Sequence, residues 1–68
     1  MFSERLKLLR EERRAYQREL AEYLGISLRA YQFYEDGEHE PNIKKLIALA
    51  DYYGVTIDYL VGRTDQRT

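Results

Sequence analysis

The stretch QRELAEYLGISLRAYQFYEDG, residues 17–37, decides the fold of this 68-residue chain. Apolar residues recur at helical spacing in its first half, and Gly25 closes that segment. Ser27 then offers a side-chain oxygen that can begin a second helix, which an Asp-Gly pair ends. The pattern therefore predicts two short helices, Gln17–Leu24 and Leu28–Glu35, joined by a tight turn.

Three more helices are predicted outside this stretch, and no segment alternates as a strand would. They cover Ser3–Arg14, Ile43–Tyr53 and Ile57–Val61. Ser3, Asn42 and Thr56 are the expected N-caps. The residues expected to face the core in the outer helices are Phe2, Leu6, Leu9, Leu46, Ile47, Leu49, Ala50, Tyr53, Ile57 and Leu60. The predicted fold class is all-α, with five helices.

The composition limits the chain to one small domain. It contains no cysteine and no apolar run of membrane-spanning length, so we expect a cytoplasmic protein. The net charge is −1, but residues 1–34 hold seven basic and five acidic side chains, against four and seven in residues 35–68. This asymmetry allows a positive face on a slightly acidic protein. Residues 63–68, RTDQRT, have the composition of a polar tail.

A wider set of residues, in register over positions 6–60, resembles the Cro/C1-type (XRE) helix-turn-helix family of phage and bacterial repressors. The set consists of Gln17, Glu19-Leu20-Ala21, Leu24-Gly25, Ser27, Tyr34-Glu35-x-Gly37, Pro41, LADYYGV and DYLVG. The resemblance implies a compact five-helix, lambda-repressor-like domain whose helix-turn-helix lies at about residues 17–36. It also implies binding to double-stranded operator DNA as a homodimer, with the third helix in the major groove.

Site residues follow from the same resemblance. The residues expected to face bases are Leu28, Arg29, Gln32 and Phe33. The residues expected to contact phosphate are Gln17, Arg18, Arg14 and Ser27, together with backbone amides between Gly37 and Ile43. Arg10 and Glu35 match a pair that forms a structural salt bridge between the first and third helices of relatives.

Each base-facing assignment has an ordinary alternative. Arg29 can bond guanine O6 and N7 together, or it can pair with Glu22 or remain solvated. Gln32 can read adenine, or it can be a polar surface residue. Phe33 can contact a thymine methyl group, pack in the core or lie in a protein interface, and the inward positions of Tyr31 and Tyr34 favour its exposure.

Three departures from the family pattern affect these assignments. Tyr16 stands where Ser or Thr usually caps the second helix, a loss of about 1 kcal/mol. Glu38 and Glu40 occupy a loop that is often basic in relatives, so they would repel phosphate. Leu28 and Phe33 stand at positions where relatives commonly have polar side chains that contact bases.

No catalytic or metal-binding constellation is predicted. His39 is the only histidine, and it lies in an acidic loop without a nucleophile pattern. No phosphate-binding glycine loop occurs, and we expect no cofactor or small-molecule ligand.

The primary prediction is a sequence-specific transcriptional regulator, a repressor that binds a palindromic operator as a dimer. The resemblance implies that the C-terminal end forms the two-fold contact. Because Ile57 and Leu60 are expected to fill the inward positions of the last helix, Tyr59 and Val61 are assigned to this contact, with Tyr52 at its rim. The alternative is a protein-interaction module on the same fold, of antitoxin or anti-repressor type. Salt-dependent DNA binding separates the two functions.

Overall fold

The computed structural model describes all 68 residues, which form five helices and no strand. The helices are α1 (Phe2–Glu12), α2 (Gln17–Leu24), α3 (Leu28–Asp36), α4 (Ile43–Tyr53) and α5 (Ile57–Leu60). The all-α prediction is therefore confirmed. None of these helices has the length and apolar character needed to cross a membrane.

Three of the predicted N-caps are present. The side-chain oxygens of Ser27, Asn42 and Thr56 accept hydrogen bonds of 3.0, 2.9 and 3.0 Å from the backbone N–H three residues later. Each bond satisfies one of the N–H groups that a helix start leaves unpaired. These local contacts explain why α3, α4 and α5 begin where the sequence predicted.

The predicted ends of α1 were wrong. The helix starts at Phe2 with Met1 as its N-cap residue, so Ser3 lies inside the first turn. It ends at Glu12, because Arg14 takes a left-handed conformation with φ 55° and the Ala15 N–H bonds the Arg10 carbonyl at 3.1 Å. This arrangement satisfies the carbonyls at the helix end, although a non-glycine residue occupies the left-handed position.

The core lies where all five helices meet. Its buried members are Leu6, Leu9, Leu20, Ala21, Tyr31, Leu49, Ala50, Tyr53, Tyr59 and Leu60. Each large side chain contributes roughly 1.5–3 kcal/mol by leaving water. Ile47, predicted to face the core, is 46% exposed. It lies on the outer side of α4, because Leu49 and Ala50 fill the inward positions of that helix.

The predicted orientation of α5 was wrong in part, because Leu60 is buried as expected but Ile57 and Tyr59 exchange their expected places. Tyr59 is 5% exposed and belongs to the core, whereas Ile57 is 37% exposed. The Arg5 guanidinium lies 4.2 Å from the centroid of the Tyr59 ring and donates a 2.8 Å hydrogen bond to the Tyr59 carbonyl. Inward placement of the ring buries a large apolar surface beneath a cation, which explains why Tyr59 rather than Ile57 is turned inward.

Residues 63–68, called the C-terminal strap below, pack against α1 and the start of α5. The Arg67 carbonyl accepts a 2.8 Å hydrogen bond from the Thr56 N–H. Arg5 donates to the Thr64 carbonyl at 2.9 Å and to the Asp65 carboxylate at 2.8 Å. The polar composition of this segment predicted a tail, but its polar groups bond the domain.

Candidate nucleic-acid interface

The α2–α3 pair is built around a close helix crossing and a short turn. Ala21, 2% exposed, leaves room for the two helices to approach. Gly25 ends α2 with φ 71°, in the left-handed region that glycine occupies without steric cost. The Ile26 N–H then bonds the Ala21 carbonyl at 3.0 Å, and Ser27 begins α3. These contacts fix the direction in which α3 leaves the turn.

The start of α2 lacks a side-chain cap from residue 16, as the sequence predicted. Tyr16 is 75% exposed and points its ring to solvent. The Glu19 carboxylate accepts a hydrogen bond of 3.2 Å from the Tyr16 N–H. This contact is half of a capping box, and it partly replaces the missing cap.

The outward side of α3 carries the predicted base-facing residues. Leu28 is 38% exposed, Arg29 is exposed, and Gln32 and Phe33 are half-buried. The Arg29 guanidinium makes no ion pair with Glu22 or any other carboxylate. Its donors therefore remain available for a ligand on this face.

Phe33 is less exposed than the sequence suggested. The Arg29 guanidinium lies 5.2 Å from its ring centroid, and the His39 ring lies 4.8 Å from it. These two neighbours cover part of the ring. Tyr31 occupies the inward side of α3 with no exposed surface, and Tyr34 is half-buried beside it.

A buried carboxylate ties α3 to both preceding helices. Arg10 donates to Glu35 Oε2 through Nε at 2.6 Å and to Oε1 through a terminal nitrogen at 3.0 Å. The Tyr31 hydroxyl donates to Oε2 at 2.6 Å. Gln17 Nε2 donates to Oε1 at 3.1 Å. The salt bridge implied by the resemblance is present, and it is one part of a larger network.

The environment of Glu35 keeps it ionised. Burial opposes the charge, but the hydrogen bonds from Arg10, Tyr31 and Gln17 outweigh that effect and lower the pKa of the carboxyl below 4.5. The hydrogen bond with Glu35 raises the pKa of Arg10 despite the opposing effect of burial. Burial, reinforced by the bond to Glu35, raises the pKa of the Tyr31 hydroxyl above 10. At neutral pH the network therefore holds one anion, one cation and a neutral phenol.

Gln17 joins this network to the exposed side of α3. Its Oε1 accepts a hydrogen bond of 3.1 Å from Gln32 Nε2. The side chain is half-buried, so much of its hydrogen-bonding capacity is used within the protein. One hydrogen on Gln17 Nε2 remains for an outside acceptor, such as a phosphate oxygen.

Basic side chains surround the start of the pair. Arg14 and Arg18 are exposed and form no ion pair. Arg13 lies over the rings of Tyr52 and Tyr53, at 5.5 and 5.2 Å from their centroids. The side with Arg14 and Arg18 therefore carries unpaired positive charge beside the N-terminus of α2.

The loop after α3 is acidic on its surface and anchored beneath. The N–H groups of Glu38 and His39 both donate to the Phe33 carbonyl, at 3.0 and 3.3 Å, and Pro41 is buried. Glu38 and Glu40 are exposed. No cluster of His, Cys, Asp or Glu has the geometry of a metal site.

Comparisons with known proteins match this arrangement. A helix-turn-helix family model (HTH_3) matches residues 6–60. The chain belongs to this XRE-type helix-turn-helix family. It is 43% identical to an uncharacterised HTH-type transcriptional regulator of Bacillus subtilis, YqaE, over 90% of this chain and 53% of that protein. The chain thus spans about half the length of this curated relative.

Two solved structures share the fold of this helix-turn-helix domain. A transcriptional regulator from Listeria innocua superimposes with a TM-score of 0.89 at 40% identity, over 91% of this chain and 58% of that one. The DNA-binding domain of the P22 c2 repressor gives a TM-score of 0.81 at 31% identity, over 90% of this chain and 80% of that one. The five-helix repressor-like fold expected from the sequence is therefore confirmed.

The residues expected at the two-fold contact of this helix-turn-helix domain are not together on an open surface. Tyr59 is buried in the core, so its side chain does not lie on the surface that a second copy could contact. Tyr52 is half-buried between neighbouring rings, 4.7 Å from Tyr23 and 4.9 Å from Tyr53 between centroids. Val61 is half-buried, and Ile57 is the more exposed apolar residue of this end.

Sequence reasoning missed three bonds of the site, including the one from Gln17 to Glu35. The bond between Tyr31 and Glu35 joins residues four apart on one helix, so helical spacing could have suggested it. The bond between Gln17 and Gln32 depends on how α2 and α3 dock, and no local pattern indicates it.

Proposed function

We propose that this domain binds double-stranded DNA with α3 in the major groove and represses transcription from a two-fold operator in the cytoplasm. The single observation that carries the proposal is the outward side of α3. It presents unpaired Arg29 beside Leu28 and Gln32, on a helix anchored through Glu35 to α1 and α2. A rigid helix with a free guanidinium suits base-edge recognition. Family members are transcription regulators, which supports this function and gives no support to an enzymatic one.

Phosphate contacts are assigned to the surroundings of α3. Arg14, Arg18 and Gln17 lie beside the N-terminus of α2, and Ser27 marks that of α3. Helix N-termini attract phosphate through free N–H groups and the helix dipole. This division explains how an acidic chain can bind DNA: α3 reads the bases while neighbouring groups hold the backbone.

The first experiment is selection from a random DNA library, followed by titration of the enriched site at low and moderate salt. Arg29→Ala is expected to weaken binding by about 1–3 kcal/mol and to relax preference at one base pair. Lys7→Ala is the control, since Lys7 is an exposed cation outside the helix-turn-helix. An equal loss on every DNA sequence would make Arg29 a phosphate anchor.

A second experiment concerns the acidic loop. Glu38→Lys with Glu40→Lys is expected to raise affinity for all DNA and to steepen its salt dependence, because the loop is assigned to the phosphate side. Asp51→Lys, an exposed change on α4, is the control for added positive charge. Unchanged affinity in the loop variant would place the loop away from DNA.

Two copies are expected on the operator, because one domain of this size covers only a half-site. With Tyr59 buried, we assign the two-fold contact to Ile57 and Val61. Ile57→Lys should reduce cooperative binding to a full operator without altering binding to a half-site. If wild-type protein shows no salt-dependent DNA binding, the protein-interaction alternative is favoured.

A further inference from the structure

The charge of Glu35 imposes a direction on the hydrogen bonds that lead from it to the outer side of α3. The Glu35 side chain is 2% exposed, and an ionised carboxylate can only accept hydrogen bonds. Arg10 and Tyr31 donate to it, so the remaining partner, Gln17, must also present its NH2 group. A flipped Gln17 amide would place two oxygens together at the site with no proton between them.

The fixed orientation of Gln17 determines that of Gln32. With its nitrogen on Glu35, Gln17 turns Oε1 towards Gln32, 3.1 Å from Gln32 Nε2. Gln32 must therefore donate one N–H inward. Its Oε1 and its second N–H are the groups left for a ligand.

We infer that Glu35 is a positioning residue that fixes the orientation of the Gln32 amide. The domain therefore selects adenine at the base pair that Gln32 contacts. Adenine presents an N6 donor and an N7 acceptor in the major groove, matching the oxygen and the remaining N–H of Gln32. Guanine presents two acceptors, N7 and O6, and one of them would face the Gln32 oxygen. This inference rests on the proposed binding of α3 in the major groove, and it adds the base that residue 32 reads.

Gln17 then has two roles on DNA. One Nε2 hydrogen is available for phosphate, while the rest of the amide holds Gln32 in one orientation. Gln17→Met retains a side chain of similar length and removes both hydrogen-bonding groups. Gln32 keeps its amide in this variant but loses the partner that orients it, so the amide can flip and offer its NH2 group to guanine.

The experiment is library selection with wild type, Gln32→Ala and Gln17→Met. Wild type is expected to enrich adenine at one position of each half-site, and Gln32→Ala should lose preference at that position alone. In Gln17→Met, the preference for adenine over guanine at the same position should fall roughly tenfold, the scale of one base contact. Preferences at the other positions should be retained, even where total affinity is lower.

Tyr31→Phe is the matched control. It removes a different donor to Glu35 and leaves the Gln17–Gln32 bond in place, so it should lower stability without changing the base preference.

Equal loss of affinity for adenine and guanine in Gln17→Met would overturn the inference, as would an unchanged preference in Gln32→Ala. Both results leave the proposed function standing if wild type enriches a defined site. Failure of wild type to enrich any site would overturn the proposed function and this inference together.

Discussion

Two arginine–carboxylate pairs in this domain have the same chemistry and very different surroundings. Arg10 and Glu35 form a two-pronged pair with side chains 14% and 2% exposed. Arg67 and Glu12 form a second such pair, with bonds of 2.8 and 2.7 Å and both side chains 43% exposed. The first joins α1 to α3, and the second holds the C-terminal strap on α1.

The two pairs differ in whether water can replace a partner that is lost. Water can solvate either member of the exposed pair, so breaking that pair has a small effect on folding. Arg10 is largely shielded from water and shares Glu35 with Tyr31 and Gln17. Loss of Glu35 would leave several buried donors without an acceptor, and the pair is therefore costly to break.

The largest expected effect is that of Glu35→Ala. It should lower the free energy of unfolding by about 3 kcal/mol or more, because Arg10 and Tyr31 lose their buried acceptor. Glu12→Ala is the matched control and should have a far smaller effect. Urea denaturation followed by circular dichroism measures both. Comparable losses in the two variants would mean that burial does not distinguish the pairs.

Removal of both buried charges sharpens the same comparison. The double variant Arg10→Met with Glu35→Leu should be more stable than Glu35→Ala, since no unpaired charge remains in the core. Urea denaturation again provides the measurement. A double variant as unstable as Glu35→Ala would show that the loss of stability comes from the disrupted packing and hydrogen bonds of the network, and not from the unpaired Arg10.

The next effect is on acid stability. Because the folded-state pKa of Glu35 lies below its ordinary value of 4.5, its ionisation stabilises the fold above that pH. This contribution should fade as pH falls below 4.5 and through the folded-state pKa. Stability measured from pH 6 downwards should fall less steeply in Glu35→Gln than in wild type. Equal slopes would contradict the assignment.

Glu12 titrates in the same window and provides an internal comparison. Its bond to Arg67 lowers its pKa, so it too stabilises the fold above 4.5 and loses that effect in acid. Salt should suppress the exposed Glu12 contribution while leaving most of the Glu35 contribution intact. Repeating the pH series of wild type, Glu12→Gln and Glu35→Gln at high salt tests this difference.

Two buried tyrosines should respond differently to loss of the hydroxyl. Tyr31→Phe removes a 2.6 Å bond to an ionised carboxylate, and it should destabilise the fold by about 1.5–3 kcal/mol. The Tyr53 hydroxyl is buried and has no hydrogen-bond partner. Tyr53→Phe should therefore leave stability unchanged or raise it by up to about 1 kcal/mol. Thermal denaturation of both variants tests the prediction, which a similar loss in each would contradict.

The smallest expected effect is local. Arg67→Ala removes the pair with Glu12 and the guanidinium near the Tyr59 ring, so the strap should open more often. The Thr56 amide, which donates to the Arg67 carbonyl, should then exchange its hydrogen faster. Arg63→Ala is the control, because Arg63 is largely exposed and its ion pair with Asp58 is long, at 4.0 Å. Unchanged exchange at Thr56 would mean that the backbone alone holds the strap.

Local chemistry determined much of this fold from the sequence. The bounds of α2 and α4, and the caps at Ser27, Asn42 and Thr56, were predicted from patterns within a few residues. Helix starts and apolar stripes depend on neighbours three or four positions apart, which the sequence shows directly. Both ends of α1 were exceptions. Ser3 does not cap its start, and left-handed Arg14 beyond its end has no sequence signal such as glycine.

Apart from the Arg10–Glu35 pair that the family resemblance implied, only the tertiary structure decided which groups meet across helices. Burial of Tyr59 rather than Ile57 depends on Arg5, which lies more than fifty positions earlier and covers the ring. The bond between Gln17 and Gln32 likewise exists because α2 and α3 dock at one angle. Sequence spacing names the residues on a helical face, but it does not give the rotation of that face against its neighbours. That rotation is set by the summed packing of all five helices, so these contacts appear only in the folded domain.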